Sequence, residues 1–390
     1  MHPRAQQIID LTDGWRTDAE AEAQVIEILR SAPPEELDDV LADLDVDDLI
    51  GDVDNHVWGP DNRTQLMTLL LRERRDALSL ESLAVLLAAL HVGPTPRTHQ
   101  ELITEVLLSR TGTAFHDLKY RLNSTRDHHD LEHLVFEEID EDLRETLLEH
   151  FAEQAHVDPN SDLRVLCDID DTVKCAIHDD RYPRGTIYPG VVELLQALDD
   201  GAAEKPNRAG DLTFVTARPG GPRGLVERYT RNDLSTLGLP PHSVMGGSIL
   251  NLHTKARMAD RKILNMDRDR QLFPECRMVF IGDSGQADAQ VGAEMHRRDP
   301  DHIVATLLHN VTDLTREARA ELAQDGVHAF DTYAGAAAHA LRLGLIRAEQ
   351  AQTVVEATRK GIAELELDAA QRERLERDLA ADVEAVAALS

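Results

Sequence analysis

The middle of the chain alternates short apolar runs with stretches of helical periodicity, and this alternation limits the fold more than any other feature. The apolar runs are Leu163–Cys167, Leu212–Val215, Met278–Ile281 and Ile303–Leu308. The helical stretches are Val191–Leu198, Gly224–Thr230, Arg257–Met266, Gln290–Met295 and Leu314–Ala323. Strands that alternate with helices form βαβ units, in which helices cover both faces of a parallel sheet. The sequence therefore predicts a three-layer α/β domain.

The sequence before this region has a different pattern. Residues 1–160 carry 35 Asp and Glu against 13 Lys and Arg, so they hold most of the formal net charge of −31. Apolar residues recur there at helical spacing, and strand alternation is missing. We expect an acidic all-helical domain over 1–157 and the α/β domain over 162–335, joined by a connector rich in Pro, Asn and Ser. The Ala- and Leu-rich residues 336–390 are expected to form C-terminal helices.

Charge and composition exclude several classes of protein. A net charge of −31 repels nucleic acids and anionic membrane surfaces. The longest apolar run, Leu83–Leu90, is far shorter than the roughly 20 residues that span a bilayer, and residues 1–30 lack the apolar core of a signal peptide. The three cysteines form neither a disulfide framework nor a zinc motif. We expect a cytoplasmic protein with no nucleic-acid partner, no transmembrane segment and at most peripheral membrane contact.

Carboxylates follow two of the predicted strands at the point where each strand ends. Asp168 and Asp170 come directly after the first apolar run, and Asp283 and Asp288 follow the third. Ligands of open α/β sheets bind at the carboxyl ends of the strands, and alternate residues of an extended chain share a face. The alternative is that Asp170 or Asp171 caps a helix, and that Gly282–Asp288 is a turn followed by such a cap.

Four converging carboxylates need a counter-charge. At 4 Å each pair would cost about 4 kcal/mol at an effective dielectric constant near 20. A divalent cation removes this repulsion, and ligation by oxygen alone favours Mg²⁺ over zinc. Thr216 follows the second strand and Lys262 lies on a predicted helix; each alone would be a turn residue or a solvated lysine. Together with a carboxylate nucleophile and Mg²⁺, they are the groups that phosphoryl transfer requires.

These residues carry a resemblance to a known family. In order along the chain, Asp-Ile-Asp-Asp-Thr-Val from Asp168, Thr216, Lys262 and Gly282–Asp288 resemble the four motifs of haloacid dehalogenase-like (HAD) phosphatases. Over about residues 162–315 the chain is similar to the catalytic domain of the actin-patch-associated phosphatidate phosphatases. The similar stretches are Asp168–Lys174, Tyr188–Gly190, Phe273-Pro274 and Met278–Asp288. Phe214–Pro219 departs from the Ser-rich stretch of many members, which bears on the substrate and not on the catalytic residues.

The resemblance implies a HAD-like Rossmannoid fold and a role for each residue. Asp168 would attack phosphorus and form an aspartyl-phosphate, and Asp170 would act as the general acid and base. Thr216 and Lys262 would hold the phosphoryl oxygens. Mg²⁺ would be bound by Asp168, the Asp170 backbone carbonyl and Asp283, with Asp288 in support. Asp171 would be a cap rather than a catalyst.

The resemblance implies an Mg²⁺-dependent phosphomonoesterase acting on phosphatidate or a related phospholipid. The segments between Val173, Thr216 and Lys262 are too short for a full cap domain, so an open site and a bulky substrate are expected. One alternative keeps the chemistry and takes a soluble phosphate ester, a phosphoprotein or a nucleic-acid end as substrate. Another is a regulatory or scaffold protein whose acidic N-terminal helices bind a protein partner.

Overall fold

The chain forms two compact units, Met1–Asp158 and Pro159–Ser390. The computed structural model describes residues 1–13, 17–53, 61–90, 95–124, 131–157, 162–204, 211–219, 234, 236–247 and 255–389. The predicted helix Gly224–Thr230 lies outside these residues. No described helix is both long and apolar enough to cross a bilayer.

The described part of the first unit is helical, as the 3.6-residue periodicity predicts. Its helices are α1 (Pro3–Thr12), α2 (Ala19–Ser31), α3 (Pro34–Ala42), α4 (Val46–Asp52), α5 (Asn62–Thr68), α6 (Leu80–Leu90), α7 (Arg97–Leu108), α8 (Gly112–Ser124), α9 (Leu131–His133) and α10 (Glu141–Val157). π-Helical turns at Leu69–Glu73 and Leu134–Glu138 extend α5 and α9. Acidic caps help to begin these helices: the Asp18 carboxylate accepts hydrogen bonds from two backbone N–H groups of α2.

The second unit is built on a six-stranded sheet in which every strand pairing is parallel. The strands are β1 (Leu163–Cys167), β2 (Leu212–Pro219), β3 (His242–Gly247), β4 (Arg277–Asp283), β5 (Ile303–His309) and β6 (Val327–Phe330), in the order β3-β2-β1-β4-β5-β6. This confirms the predicted α/β fold class. The strands β3 and β6 were not predicted, because β3 ends in two glycines and β6 has only four residues.

Helices cover both faces of the sheet and complete the three layers. They are α11 (Val191–Asp200), α12 (Lys255–Leu272), α13 (Asp288–Arg298), α14 (Arg316–Gln324), α15 (Tyr333–Arg342), α16 (Ala348–Glu364) and α17 (Ala369–Ala387). Val165 and Cys167 of β1 pack with α11, α15 and α16 on one face, and Leu166 packs with α12 and α13 on the other. β1 is therefore buried on both sides, which is why four of its five residues are apolar.

The C-terminal helices belong to the same compact unit as the sheet. α15 spans the proposed boundary between residues 335 and 336 and packs against α16 and α17. Ala334, Ala336 and Ala337 of α15 are fully buried in the core that also contains β1 and α11. The small alanine side chains allow α15 to approach its neighbours closely.

A buried ion pair joins β1 to α12. Arg164 is fully buried, and its Nη2 donates to Asp269 Oδ1 at 2.6 Å and to Thr213 Oγ1 at 2.8 Å. Its guanidinium lies 3.9 Å from the centre of the Phe273 ring. A buried charge without its partner is strongly destabilising, so α12 is held to the sheet by a contact that tolerates little change.

We expect Asp269→Ala to lower the free energy of unfolding by about 3 kcal/mol, because it leaves the Arg164 charge buried without its closest carboxylate. The matched control is Asp267→Ala, two residues earlier on α12. Asp267 is partly exposed and pairs with Arg270 and Arg298 near the surface, so its loss should cost less than about 1 kcal/mol. Urea unfolding followed by circular dichroism measures both. Equal losses of unfolding free energy would show that the buried ion pair stabilises the protein no more than the surface pair does.

Candidate active site

The predicted carboxylates meet at the carboxyl edge of the sheet, between β1 and β4. The chain passes from β1 to β2 on one side and returns to β4 on the other, so this edge is a topological switch point, where open α/β sheets bind ligands. Asp168 follows β1 directly, and its backbone N–H donates to the Ile281 carbonyl of β4 at 2.9 Å. Asp283 is the last residue of β4.

The alternation of β1 and the periodicity of α12 bring Asp168 and Lys262 together. Leu166 packs on the α12 side of the sheet with Met266, and Asp168, two residues further on, follows the same side. Lys262 lies one turn before Met266 on the same face of α12. Its Nζ is 2.8 Å from Asp168 Oδ1, and both side chains are almost fully buried. The interpretation of Lys262 as a solvated helix lysine is therefore wrong.

The same lysine also holds Asp288. Its Nζ donates to Asp288 Oδ1 at 2.5 Å, and Asp288 Oδ2 accepts a hydrogen bond from the Asp283 backbone N–H at 3.2 Å. Gly282 makes this possible, because a Cβ at that position would lie 2.5 Å from Asp288 Oδ2. Asp288 is the first residue of α13, where the helix dipole favours a negative charge.

Asp283 and the Asp170 backbone are linked by Gln286. Asp283 Oδ1 accepts from the backbone N–H groups of Gly285 at 2.7 Å and Gln286 at 3.1 Å. The Gln286 side-chain nitrogen donates to Asp283 Oδ2 at 2.9 Å and to the Asp170 carbonyl oxygen at 3.4 Å. The two oxygens therefore face one common point. Gln286 stands in the motif that the sequence singled out, but nothing in its residue type indicated this bridging position.

Burial dominates the electrostatics of the cluster. It raises the pKa of Asp168 to about 7, although the Lys262 ammonium lowers it. Burial and the Asp288 carboxylate raise the pKa of Asp283 to about 8. For Lys262, burial alone would lower the pKa, but Asp168 and Asp288 outweigh it and raise the pKa above its ordinary value. The cluster thus has one firmly held positive charge facing more carboxylates than it can neutralise.

This donor set fits a hard divalent cation. Asp168, Asp283 and Asp288 each offer a carboxylate oxygen within 4.8 Å of the others, and all three are buried. Asp168 Oδ2 is buried and has no hydrogen-bond partner among the described residues. Clusters of oxygen ligands without sulfur or nitrogen suit Mg²⁺, Ca²⁺ and Mn²⁺. The unpaired oxygen and the excess of carboxylates are what a cation would satisfy.

A second set of contacts fixes the backbone behind the carboxylates. His309 is buried and donates from Nδ1 to the Asp171 carbonyl at 2.9 Å, while its Nε2 accepts from Arg181 at 3.0 Å. Burial, followed by the Arg181 guanidinium, lowers the pKa of His309 to about 4, so the ring stays neutral near pH 7. The Tyr333 hydroxyl of α15 donates to the Thr172 carbonyl. The C-terminal part of the unit therefore holds the loop that follows Asp168.

The predicted site residues fall into three groups. Asp168, Lys262, Asp283 and Asp288 come together in one cluster, and Asp170 reaches it through its carbonyl group and Gln286. Thr216 lies in β2, but its side chain is outside the described residues. Asp171 begins no helix: it has φ +59°, and its carboxylate accepts backbone N–H groups of a following turn. Asp171 therefore caps the backbone of a turn and not of a helix.

A comparison with known families finds a match over the region that contains this site. Residues 163–310 match the family model described as phosphatidate phosphatase APP1, catalytic domain. The match includes β1 to β5 and every residue of the cluster, and it covers less than half of the chain. It confirms the resemblance to the actin-patch phosphatidate phosphatases and supports a phosphatase activity for this region. None of the curated proteins and none of the solved structures matches the chain.

We expect Lys262→Met to make the stability of the metal-free protein more sensitive to pH. The folded state raises the pKa of Asp168 and Asp283 above the ordinary 3.8. Between about pH 4 and 8 the unfolded chain has lost these two protons but the folded protein still holds them, so the free energy of unfolding falls as pH rises through this range. Removing the Lys262 charge raises both pKa values further, so stability continues to fall at higher pH and the total loss is larger.

Melting temperatures in EDTA between pH 5 and 8 measure this effect. The control is Lys360→Met, which removes a charge from an exposed position of α16. If both variants have the pH profile of the unchanged protein, Lys262 does not neutralise the buried carboxylates.

Proposed function

We propose that the unit Pro159–Ser390 is an Mg²⁺-dependent phosphomonoesterase of the HAD type, which acts on phosphatidate or a related phospholipid. The proposal depends above all on Asp168, a buried carboxylate at the sheet's switch point that pairs with Lys262 at 2.8 Å and lies beside Asp283 and Asp288. The same region matches the catalytic domain of a phosphatidate phosphatase family. Buried carboxylates with raised pKa values in such a position are typical of functional sites.

The proposed metal ligands are Asp168, the Asp170 carbonyl oxygen and Asp283, with Asp288 in support. When bound, Mg²⁺ would neutralise charge on the phosphoryl oxygens. Lys262 would remain beside Asp168 and Asp288, where its ammonium group can also approach a phosphoryl oxygen. Thr216, at the carboxyl end of β2, is proposed as a hydroxyl donor to the same oxygens.

In the first step Asp168 attacks phosphorus. A bond forms between a carboxylate oxygen and phosphorus, the bond from phosphorus to the ester oxygen breaks, and Asp170 gives its proton to that leaving oxygen. In the second step Asp170, now ionised, takes a proton from water. The water oxygen bonds to phosphorus, the aspartyl-phosphate bond breaks, and inorganic phosphate leaves with both carboxyl groups restored.

We expect Asp168→Asn to abolish hydrolysis, lowering kcat by about 1,000-fold or more, because an amide cannot replace the attacking carboxylate. Phosphate release from a panel of phosphate esters, with Mg²⁺ and with EDTA, measures this. Activity of the unchanged protein should require the metal.

The matched control is Asp301→Asn, an exposed aspartate before β5 at the amino edge of the sheet. If Asp168→Asn retains activity, the proposed nucleophile is wrong. If the unchanged protein hydrolyses no ester while partner binding persists, the scaffold alternative is favoured, with the acidic N-terminal helices as the protein-binding region.

An exposed isoleucine close to the site supports the lipid substrate. Ile177 is 56% exposed, and its backbone N–H donates to the buried Asp171 carboxylate at 2.8 Å. A large apolar side chain is therefore exposed to water on a turn whose next residue, His178, lies beside Asp283. A phospholipid surface offers this side chain an apolar environment, which a small soluble ester does not.

We expect Ile177→Ser to lower hydrolysis of phosphatidate in phosphatidylcholine vesicles by about 5- to 30-fold, because partial burial of an isoleucine contributes roughly 1–2 kcal/mol. Hydrolysis of a soluble short-chain ester should not change. The control is Leu343→Ser, since Leu343 follows α15 and is also exposed but lies toward the amino edge of the sheet. An equal loss on both substrates would argue against membrane contact by Ile177, and activity on soluble esters alone would favour the soluble-substrate alternative.

A further inference from the structure

The turn that follows the catalytic strand is held by one buried carboxylate. Asp171 Oδ1 accepts the backbone N–H groups of Ala176 at 2.7 Å and Ile177 at 2.8 Å, and Oδ2 accepts that of His178 at 2.7 Å. The side chain of His178 returns to the same carboxylate, with Nδ1 at 2.9 Å from Oδ2. The three backbone contacts already hold the turn in place. The contact from the imidazole is therefore not needed for the turn, and instead fixes the orientation of the ring.

The ring of His178 lies against the loop that carries Asp283. A Cβ at Gly285 would be 2.5 Å from His178 Nδ1 and 2.6 Å from its Cγ, which no real Cβ contact allows. Gly285 therefore leaves room for the ring. Ligand atoms of Asp171, His178 and Asp283 lie within 4.8 Å of one another, so the imidazole stands immediately beside the carboxylate cluster.

A metal ion does not explain this arrangement well. The Asp171 carboxylate already accepts four hydrogen bonds from N–H groups, and a cation would have to displace them.

The other ring nitrogen of His178, Nε2, is available for a further contact. His178 Nε2 has no hydrogen-bond partner among the described residues, and the side chain is 32% exposed. With Nδ1 fixed, the ring can turn only by breaking its bond to Asp171.

His178 lies at the edge of the carboxylate cluster, beside Asp283. Asp283 belongs both to the group with Asp168 and Asp288 and to the group with His178, but Asp168 and His178 share no group. Asp283 thus lies beside both the proposed nucleophile Asp168 and the ring of His178. His178 is therefore a polar side chain next to the place where a phosphate ester would bind at Asp168.

We propose that His178 is a specificity residue, whose Nε2 hydrogen-bonds an oxygen of the substrate's glycerol backbone beyond the phosphoryl group. The inference rests on the proposed function, since it needs a phosphate ester bound at Asp168. Asp171 is the positioning residue, because it fixes the ring through Nδ1. The contact selects glycerol phosphate esters, which carry oxygens next to the phosphate, over plain alkyl phosphates, which do not.

Two substitutions separate a substrate contact from a structural role. His178→Asn places an amide N–H near the position of Nδ1, so the bond to Asp171 is kept and Nε2 is lost. His178→Gln can place an amide near the position of Nε2. We expect Asn to lower kcat/KM for dihexanoyl phosphatidate by about 3- to 10-fold, mainly through KM, as is usual for one lost hydrogen bond. The unchanged protein and His178→Asn should hydrolyse hexyl phosphate equally well. His178→Gln should recover part of the kcat/KM that His178→Asn loses on dihexanoyl phosphatidate.

The opposite pattern overturns the inference. If the ring only supports the turn, His178→Asn will have the activity of the unchanged protein, and His178→Gln will have lower activity on both substrates. If the unchanged protein hydrolyses neither ester, the proposed function fails, and binding still tests the contact. In that case the Hε1 resonance of His178, identified by its loss in His178→Asn, should shift when dihexanoyl phosphatidate is added with Mg²⁺ to the Asp168→Asn protein. An unchanged resonance in the presence of bound lipid would show that His178 does not touch it.

Discussion

The second unit depends on one buried ammonium group. Lys262 lies between Asp168 and Asp288 at the carboxyl edge of the sheet, and all three side chains are almost fully excluded from water. Charges in such a place are unfavourable unless they are paired and hydrogen-bonded. The pairing ties α12, β1 and α13 together at one point. It also leaves the carboxylates in excess, which is the property that makes the cluster suited to a cation and an anionic substrate rather than to stability alone.

Two glycines shape this edge by the absence of a side chain. Gly282 leaves room for Asp288 to reach back over β4, and Gly285 leaves room for the ring of His178. Both stand in the single motif that also supplies Asp283 and Gln286. Close approach of side chains to backbone, and not a tight turn, explains why glycine is needed at these two positions.

The C-terminal helices contribute to the site without entering it. Tyr333 of α15 contacts the carbonyl of Thr172, and its ring packs near those of Tyr188, His309 and Phe330. Arg181 joins the same region through His309. These contacts fix the loop between Asp168 and the turn that bears Ile177 and His178. The proposed chemistry and the proposed lipid contact thus depend on α15, a helix that the family match does not include.

The resemblance to a known family, and not a local signal, placed Lys262 among the carboxylates. The sequence alone determined the α/β class, four of the six strands and the meeting of Asp168, Asp283 and Asp288. These follow from local signals: apolar runs of strand length, helical periodicity, and carboxylates placed where parallel strands end. Only the tertiary structure decided that Lys262 is buried, that Gln286 joins Asp283 to Asp170, and that Asp171 holds His178 beside Gly285. The reason is physical: each depends on side chains from separate elements meeting in space, and on which face of an element is covered, and neither is written in the residue type or its neighbours along the chain.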